Sequence, residues 1–120
     1  MFIDESFDIR LPSINRAIYN NPGELRRFSG NVWAILESRF KFLPRFDCPV
    51  VVIITAFYPD ERYVIDADNI FVKPVIDCLA KHCFHGGHDG FKEMREVRKR
   101  SRLGKSGFRV EVYAEEDMPC

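Results

Sequence analysis

Five polar residues interrupt the apolar stretch VIDADNIFVKPVIDCL, residues 64–79: Asp66, Asp68, Asn69, Lys73 and Asp77. Carboxylates drawn out of water must be paired, neutralised or protonated. Two held side by side also repel each other, and a divalent cation is the simplest compensation. A hard ion such as Mg²⁺ takes one or two carboxylates and fills its remaining positions with water and phosphate oxygens. Asp66 and Asp68 can supply those ligands, and Asp89, in the glycine-rich HGGHDG segment at 85–90, can supply a third. Asn69 can hold a water or orient one carboxylate. Lys73 is placed to neutralise charge that builds on a phosphate in a transition state. The set therefore suits metal-assisted attack of water on a phosphodiester, with Asp66, Asp68, Lys73 and Asp89 as the catalytic candidates. The plainer readings are a capped helix start, a surface ion pair between Lys73 and Asp77, and a turn at Asp89-Gly90.

The elements that must position these residues follow from periodicity. Phe7, Ile9 and Leu11 alternate in SFDIRL and predict a strand, which ends at Pro12 before a turn-rich loop over 12–24. Apolar residues recur every three or four positions from Leu25 to Leu43, the pattern of an amphipathic helix, with Gly30 expected to delay its start and Ser29 or Asn31 to cap it. PVVVIITAFY is β-branched and nearly continuous, as in a central strand covered on both faces. ERYVID fits a strand or an extended connection. Pro74 is tolerated only in a first helical turn, so the next helix is expected to begin near Phe71 or Val72. Asp66 and Asp68 then lie just before it, on one side of an extended segment. Lys73 and Asp77, four apart, share a helix face. Residues 91–102 fit either a helix or an exposed strand, and GFRVEVYAEE closes the fold as a strand. The expected architecture is α+β: one domain over residues 1–120, a mixed sheet packed with two main helices.

Composition narrows the class. The chain has 120 residues, 46% of them hydrophobic, with 18 basic and 18 acidic side chains. That length suits one core of ordinary size. The longest apolar run is too short to span a bilayer, and MFIDESFDIR is acidic where a secretory signal is basic. A cytoplasmic protein with no membrane partner and no small-molecule cofactor is expected. Cys48, Cys78, Cys83 and Cys120 have no CxxC spacing and read as free thiols. Net charge is zero, yet residues 91–109 carry eight Lys or Arg against two Glu. Lys92, Arg95, Arg98, Lys99, Arg100, Arg102 and Lys105 make that segment a candidate phosphate-contacting surface, with a solvated charged hairpin or helix as the plainer reading.

The whole pattern resembles the RusA family of Holliday-junction resolvases over about residues 6–114. The order is LPSINR after a first strand, an apolar strand, Asp-x-Asp-Asn with a following Lys and Asp, a Gly/Asp loop and a terminal GFRVEV strand. The resemblance implies a homodimeric, Mg²⁺-dependent endonuclease, with Mn²⁺ as a possible substitute, that cuts four-way DNA junctions symmetrically. Two identical sites in a C2 dimer match the two cuts such a junction needs. On this resemblance Asp66, Asp68 and Asp89 are the metal ligands and Lys73 the catalytic lysine. Asn69 and Asp77 support them, and Asn15 and Arg16 lie close to the site or the DNA. Recombination, repair and prophage biology are the settings that the family implies.

This chain departs from the family at two points. Three residues, IFV, separate Asn69 from Lys73 where the family has two, and His88 stands where the first of two acids is usual. A relative that binds branched DNA without cutting it is therefore the first alternative. The second is a zinc site built from Cys78, His82, His85 and His88, since Cys78 and His82 lie four apart on one helix.

Overall fold

A β-branched run with no polar interruption can satisfy its backbone only between two other strands, and the run at 50–58 does so. The computed structural model describes residues 3–13, 22–43, 45, 48–60, 66, 70–83 and 94–117. Its elements, in chain order, are β1 (Ile3–Phe7), α1 (Pro22–Phe40), β2 (Val50–Tyr58), α2 (Lys73–Cys83), β3 (Met94–Arg102) and β4 (Gly107–Ala114), followed by a 3₁₀ turn at Glu115–Asp117. β2 pairs in parallel with β3 and antiparallel with β4, and β4 pairs antiparallel with β1. The sheet order is β1-β4-β2-β3. Three strands therefore run one way and β4 runs against them. The result is one α+β domain with a four-stranded mixed sheet and two helices, as expected.

Strands that run the same way cannot be joined by a tight turn, because the chain must first return to their starting end. α1 makes that return between β1 and β2, and α2 makes it between β2 and β3. Both helices pack on one face of the sheet. Val32, Leu36 and Phe40 of α1 and Val75, Cys78 and Leu79 of α2 share a core with Val50, Val52 and Ile54 of β2. Phe108, Val110 and Val112 of β4 and Ile3 and Phe7 of β1 complete it. The Phe7 ring stacks on Phe108 with centroids 4.9 Å apart and meets Phe40 edge-on at 6.1 Å. Val51 and Ile53 are buried on the other face of β2, so the central strand is covered on both sides. No helix among the described residues is long and apolar enough to cross a membrane.

Four expectations need adjustment. β1 covers Ile3–Phe7 instead of SFDIRL, because Phe7 pairs with Phe108 and only Gly107 of β4 lies beyond it, so Ile9 and Leu11 have no strand residue opposite them. α1 starts at Pro22, not near Gly30: proline at a helix start has no amide hydrogen to leave unpaired and a φ already set for the helix. Neither Ser29 nor Asn31 is its cap, and Gly30 lies well inside. α2 begins at Lys73, one or two residues later than the expected Phe71 or Val72, with the Val72 carbonyl accepting from the amides of Val75 (3.0 Å) and Ile76 (3.1 Å). Pro74 falls within this first turn, where a missing donor costs nothing. The ambiguous 91–102 segment is a strand from Met94 onward, since pairing along the full length of β2 satisfies its backbone.

Two glycines lead to opposite outcomes. A Cβ at Gly30 would meet nothing within 4 Å, whereas one at Gly107 would come 2.6 Å from the Phe7 carbonyl oxygen. Gly30→Ala should stabilise the protein by about 0.5–1 kcal/mol, through the entropy glycine loses in a helix. Gly107→Ala should cost about 1–3 kcal/mol through overpacking. Urea unfolding of the two variants reads both signs.

Candidate functional site

Because α2 runs back against the strands, the approach to it lies beside the later halves of β2 and β3, at Ala56, Tyr58 and Arg100, and its first turn lies beside Glu96 and Arg98. In sheets with parallel strands this carboxyl end is where ligand-binding loops gather. The approach is fixed from two sides. Ile70 forms a bridge with Ser13, and the Phe71 amide donates to the Pro12 carbonyl at 2.9 Å. On the other side Arg98 of β3 donates to the Ile70 carbonyl at 3.1 Å. Leu11–Ser13, the first residues of the LPSINR motif, are thus held against the lead-in to α2.

Lys73 and Asp77 form the anticipated ion pair, Nζ to Oδ2 at 3.2 Å. Lys73 is largely exposed, its side chain at 73%. With Glu96 and Arg98 these two rim a pocket of about 340 Å³ whose floor is Ile70, Phe71, Val72 and Ile76. Asp66 is open, its side chain at 84% exposure. Arg100 approaches its Oδ1 at 3.4 Å. Asp66 is therefore not drawn out of water in the way its apolar setting in the sequence suggested; water solvates it, and Arg100 adds a long ion pair worth at most about 1 kcal/mol. The carboxylate still faces outward, and its oxygens are hard donors of the kind Mg²⁺ takes.

The basic segment is not a hairpin. β2 lies between β3 and β4, so Leu103–Ser106 arch across the end of β2, anchored where the Leu103 amide donates to the Tyr58 carbonyl at 3.3 Å. Gly104, at φ 73°, supplies the left-handed residue that this arch requires. Nor do the cations form one surface. Strand side chains alternate, and parallel partners share a face. Arg98 and Arg100 stand beside Ile54 and Ala56, and Arg102 beside Tyr58, on the helix side. Arg95 and Lys99 stand beside Val51 and Thr55 on the opposite side. Several cations are already engaged: Arg98 by Glu96, Arg100 by Asp66 and Lys105 by Asp8 at 3.7 Å. The seven-residue footprint read from composition accordingly divides, leaving Arg98, Arg100 and Arg102 on the side of Asp66 and Lys73. Asn15, Arg16, Asp68, Asn69, Asp89 and Lys92 lie outside the described residues.

The Cys and His cluster resolves into two environments. Cys78 is fully buried in the core, and burial, aided by the nearby Glu37 charge, pushes its thiol up to about 12. Cys83 is raised to about 11 by burial. The His82 Nε2 is 2.8 Å from Glu37 Oε2, an oxygen that also receives Trp33 Nε1 at 3.0 Å and Lys81 Nζ at 3.5 Å. His82 therefore joins α2 to α1. His85 and His88 lie outside the described residues, as does Cys120; Cys48, Cys78 and Cys83 form no disulfide among the described residues.

Two residues at this end were not singled out by sequence. Glu96 shares the pocket with Lys73, Asp77 and Arg98, and Arg10 lines a cleft with Tyr58, Ile70 and Arg100. The period-two spacing Glu96, Arg98, Arg100 was the available signal for the first. Arg10 had none, since its neighbours come from other parts of the chain. No protein-family model and no curated protein matches this chain.

Two carboxylates set an acid limit on stability. Hydrogen bonding from His82 holds Glu37 below its ordinary 4.5, with Trp33 and Lys81 adding to it against desolvation. Hydrogen bonding from Arg109 likewise lowers Asp4. A folded-state value below the unfolded one contributes stability that is complete above the unfolded value and is lost as pH falls through the folded one. The urea midpoint should therefore fall from about pH 5 downward, and Glu37→Gln should make that fall shallower. An unchanged pH profile in Glu37→Gln would show that the clasp carries no linkage.

Proposed function

We propose that the chain is a metal-dependent, structure-selective DNA endonuclease of the RusA type, resolving four-way junctions as a homodimer. The observation that carries this reading is the juxtaposition at the carboxyl end of the sheet. Asp66 precedes α2, Lys73 opens it, and Arg98, Arg100 and Arg102 line the adjoining strand on the same side. Acids fit for a metal, a solvated lysine and phosphate-binding arginines are what phosphodiester hydrolysis requires in one place.

Asp66 and Asp68, with Asp89, would hold Mg²⁺ or Mn²⁺, which when bound supplies a Lewis acid for the phosphate and a more acidic water. The chain's own side chains do the rest. Arg100 and Arg102 attract and register the DNA backbone, since guanidinium groups match phosphate oxygens in pairs. Arg100 exchanges its long contact with Asp66 for a phosphate, freeing that carboxylate as the substrate arrives. Lys73, tethered by Asp77, offers a positive charge to the oxygens on which negative charge accumulates. Asn69 orients a carboxylate or a water. In a symmetric dimer two such sites would act on the two strands of a junction.

Cleavage of a labelled four-way junction with Mg²⁺, beside an EDTA control and a linear duplex, tests the proposal. Paired symmetric nicks confined to the junction are expected. Asp68→Asn should abolish them while leaving junction affinity equal or tighter, because one negative charge near the DNA is removed. Junction binding without metal-dependent cutting by the wild type would instead identify a binding-only relative.

The division of the cations yields a sharper test. Each phosphate contact contributes close to one unit to the slope of log affinity against log salt. Replacing Arg100 and Arg102 together by Ala should lower that slope by about two, and replacing Arg95 and Lys99 should leave it nearly unchanged. The reverse result would move the DNA to the other face of the sheet.

A further inference from the structure

We infer that Leu103 is an apolar wedge that unstacks bases at the branch point of the DNA, and that the cleft behind it receives the displaced base. The inference rests on the DNA reading above and adds a residue and a subsite to it. Leu103 is 55% exposed, one of three large hydrophobic residues so exposed among those described. Its position separates it from the others. It stands on the arch over the end of β2, directly after Arg102 and two residues before Lys105, on the rim that carries Arg100 and Asp66.

An exposed leucine on a mobile loop would fold away from water or move with its loop. This one is anchored, with its amide on the Tyr58 carbonyl and the next residue fixed in a left-handed turn. A rigid apolar side chain among cations is the combination used by proteins that bind the backbone electrostatically and insert a side chain between base steps. Unstacking costs least where stacking is already interrupted, which is the situation at a four-way branch.

The cleft gives the base somewhere to go. About 510 Å³ opens beside Leu103, lined with Phe57, Ser6, Lys105 and Arg109 and with the carboxylates Asp4 and Asp8, which pair with Arg109 and Lys105. Phe57 offers a flat apolar surface on which any base can stack. Arg109 is held by Asp4 through two hydrogen bonds of 2.7 Å, so this wall is firm. Phosphate contacts on the helix side of the arch and a base-sized cleft on the other would place Leu103 between them, at the point where a strand must part.

A four-way junction carrying 2-aminopurine beside the branch point reports the event, since the probe brightens when unstacked. In EDTA, which prevents cutting, the wild type should brighten the junction probe severalfold and leave the same probe in a linear duplex unchanged. Leu103→Ala should lose most of the increase while junction affinity, carried by the arginines, changes less than about threefold. Leu103→Phe should keep it. Brightening that persists in Leu103→Ala, or that is absent from a wild-type complex with the junction, overturns the wedge alone. Failure of the wild type to bind the junction at all overturns the DNA reading and the wedge with it.

Discussion

The site exists because β2 and β3 are parallel neighbours. Parallel pairing forbids a tight turn and forces the chain back across the sheet before β3 can begin. That return is α2, whose approach therefore passes the outgoing ends of both strands and whose first turn lies beside Glu96 and Arg98. Lys73 and the acidic approach meet the arginines of β3 for this reason alone. Had β3 paired antiparallel, the same residues would have fallen at opposite ends of the sheet.

Charge is managed locally rather than globally. The neutral total conceals pairs that link separate elements: Arg39 with Glu5, Arg109 with Asp4, Arg100 with Asp66, His82 with Glu37. Two of these join the sheet to itself or to a helix, and one joins the two helices. At the carboxyl end the Lys73–Asp77 and Arg100–Asp66 pairs are long and solvated, whereas Arg98 is held closely by Glu96. On the opposite face the Arg109 pair is short and bidentate, and Glu111 accepts from the Tyr113 hydroxyl at 2.5 Å.

The elements with strong local patterns were legible in the sequence. β2 announced itself through its unbroken β-branched run, β4 through Phe108, Val110 and Val112, and the start of α2 through Pro74. What was not legible depended on partners. β1 ends at Phe7 because β4 runs out, a fact held at Gly107 and not in SFDIRL. Gly30 looked like a boundary because glycine is a poor helix former, yet one exposed glycine is outweighed by the packing of Val32, Leu36 and Phe40. The arginine segment looked like one surface because composition has no faces. Only the register with β2 shows that Arg100 and Lys99 point apart. Asp66 and Lys73 drew attention by type and spacing, and Glu96 could have done so through its period-two spacing with Arg98 and Arg100, while Arg10 needed the fold to bring its neighbours near.

The strand β4 lies between β1 and β2, yet it is the last of the four to appear along the chain. Ile3 must wait for Val112, and β2 keeps one edge open until Gly107–Ala114 slides into place. Closing the sheet is therefore a late, long-range event. Folds dominated by such distant pairings form slowly, and open strand edges invite pairing with other chains while they wait. During synthesis β1, α1 and β2 emerge with no finished sheet to join, and the β2–α2–β3 unit is the largest piece of it that can assemble first. In this molecule the insertion of one short strand turns a collection of elements into a single cooperative structure.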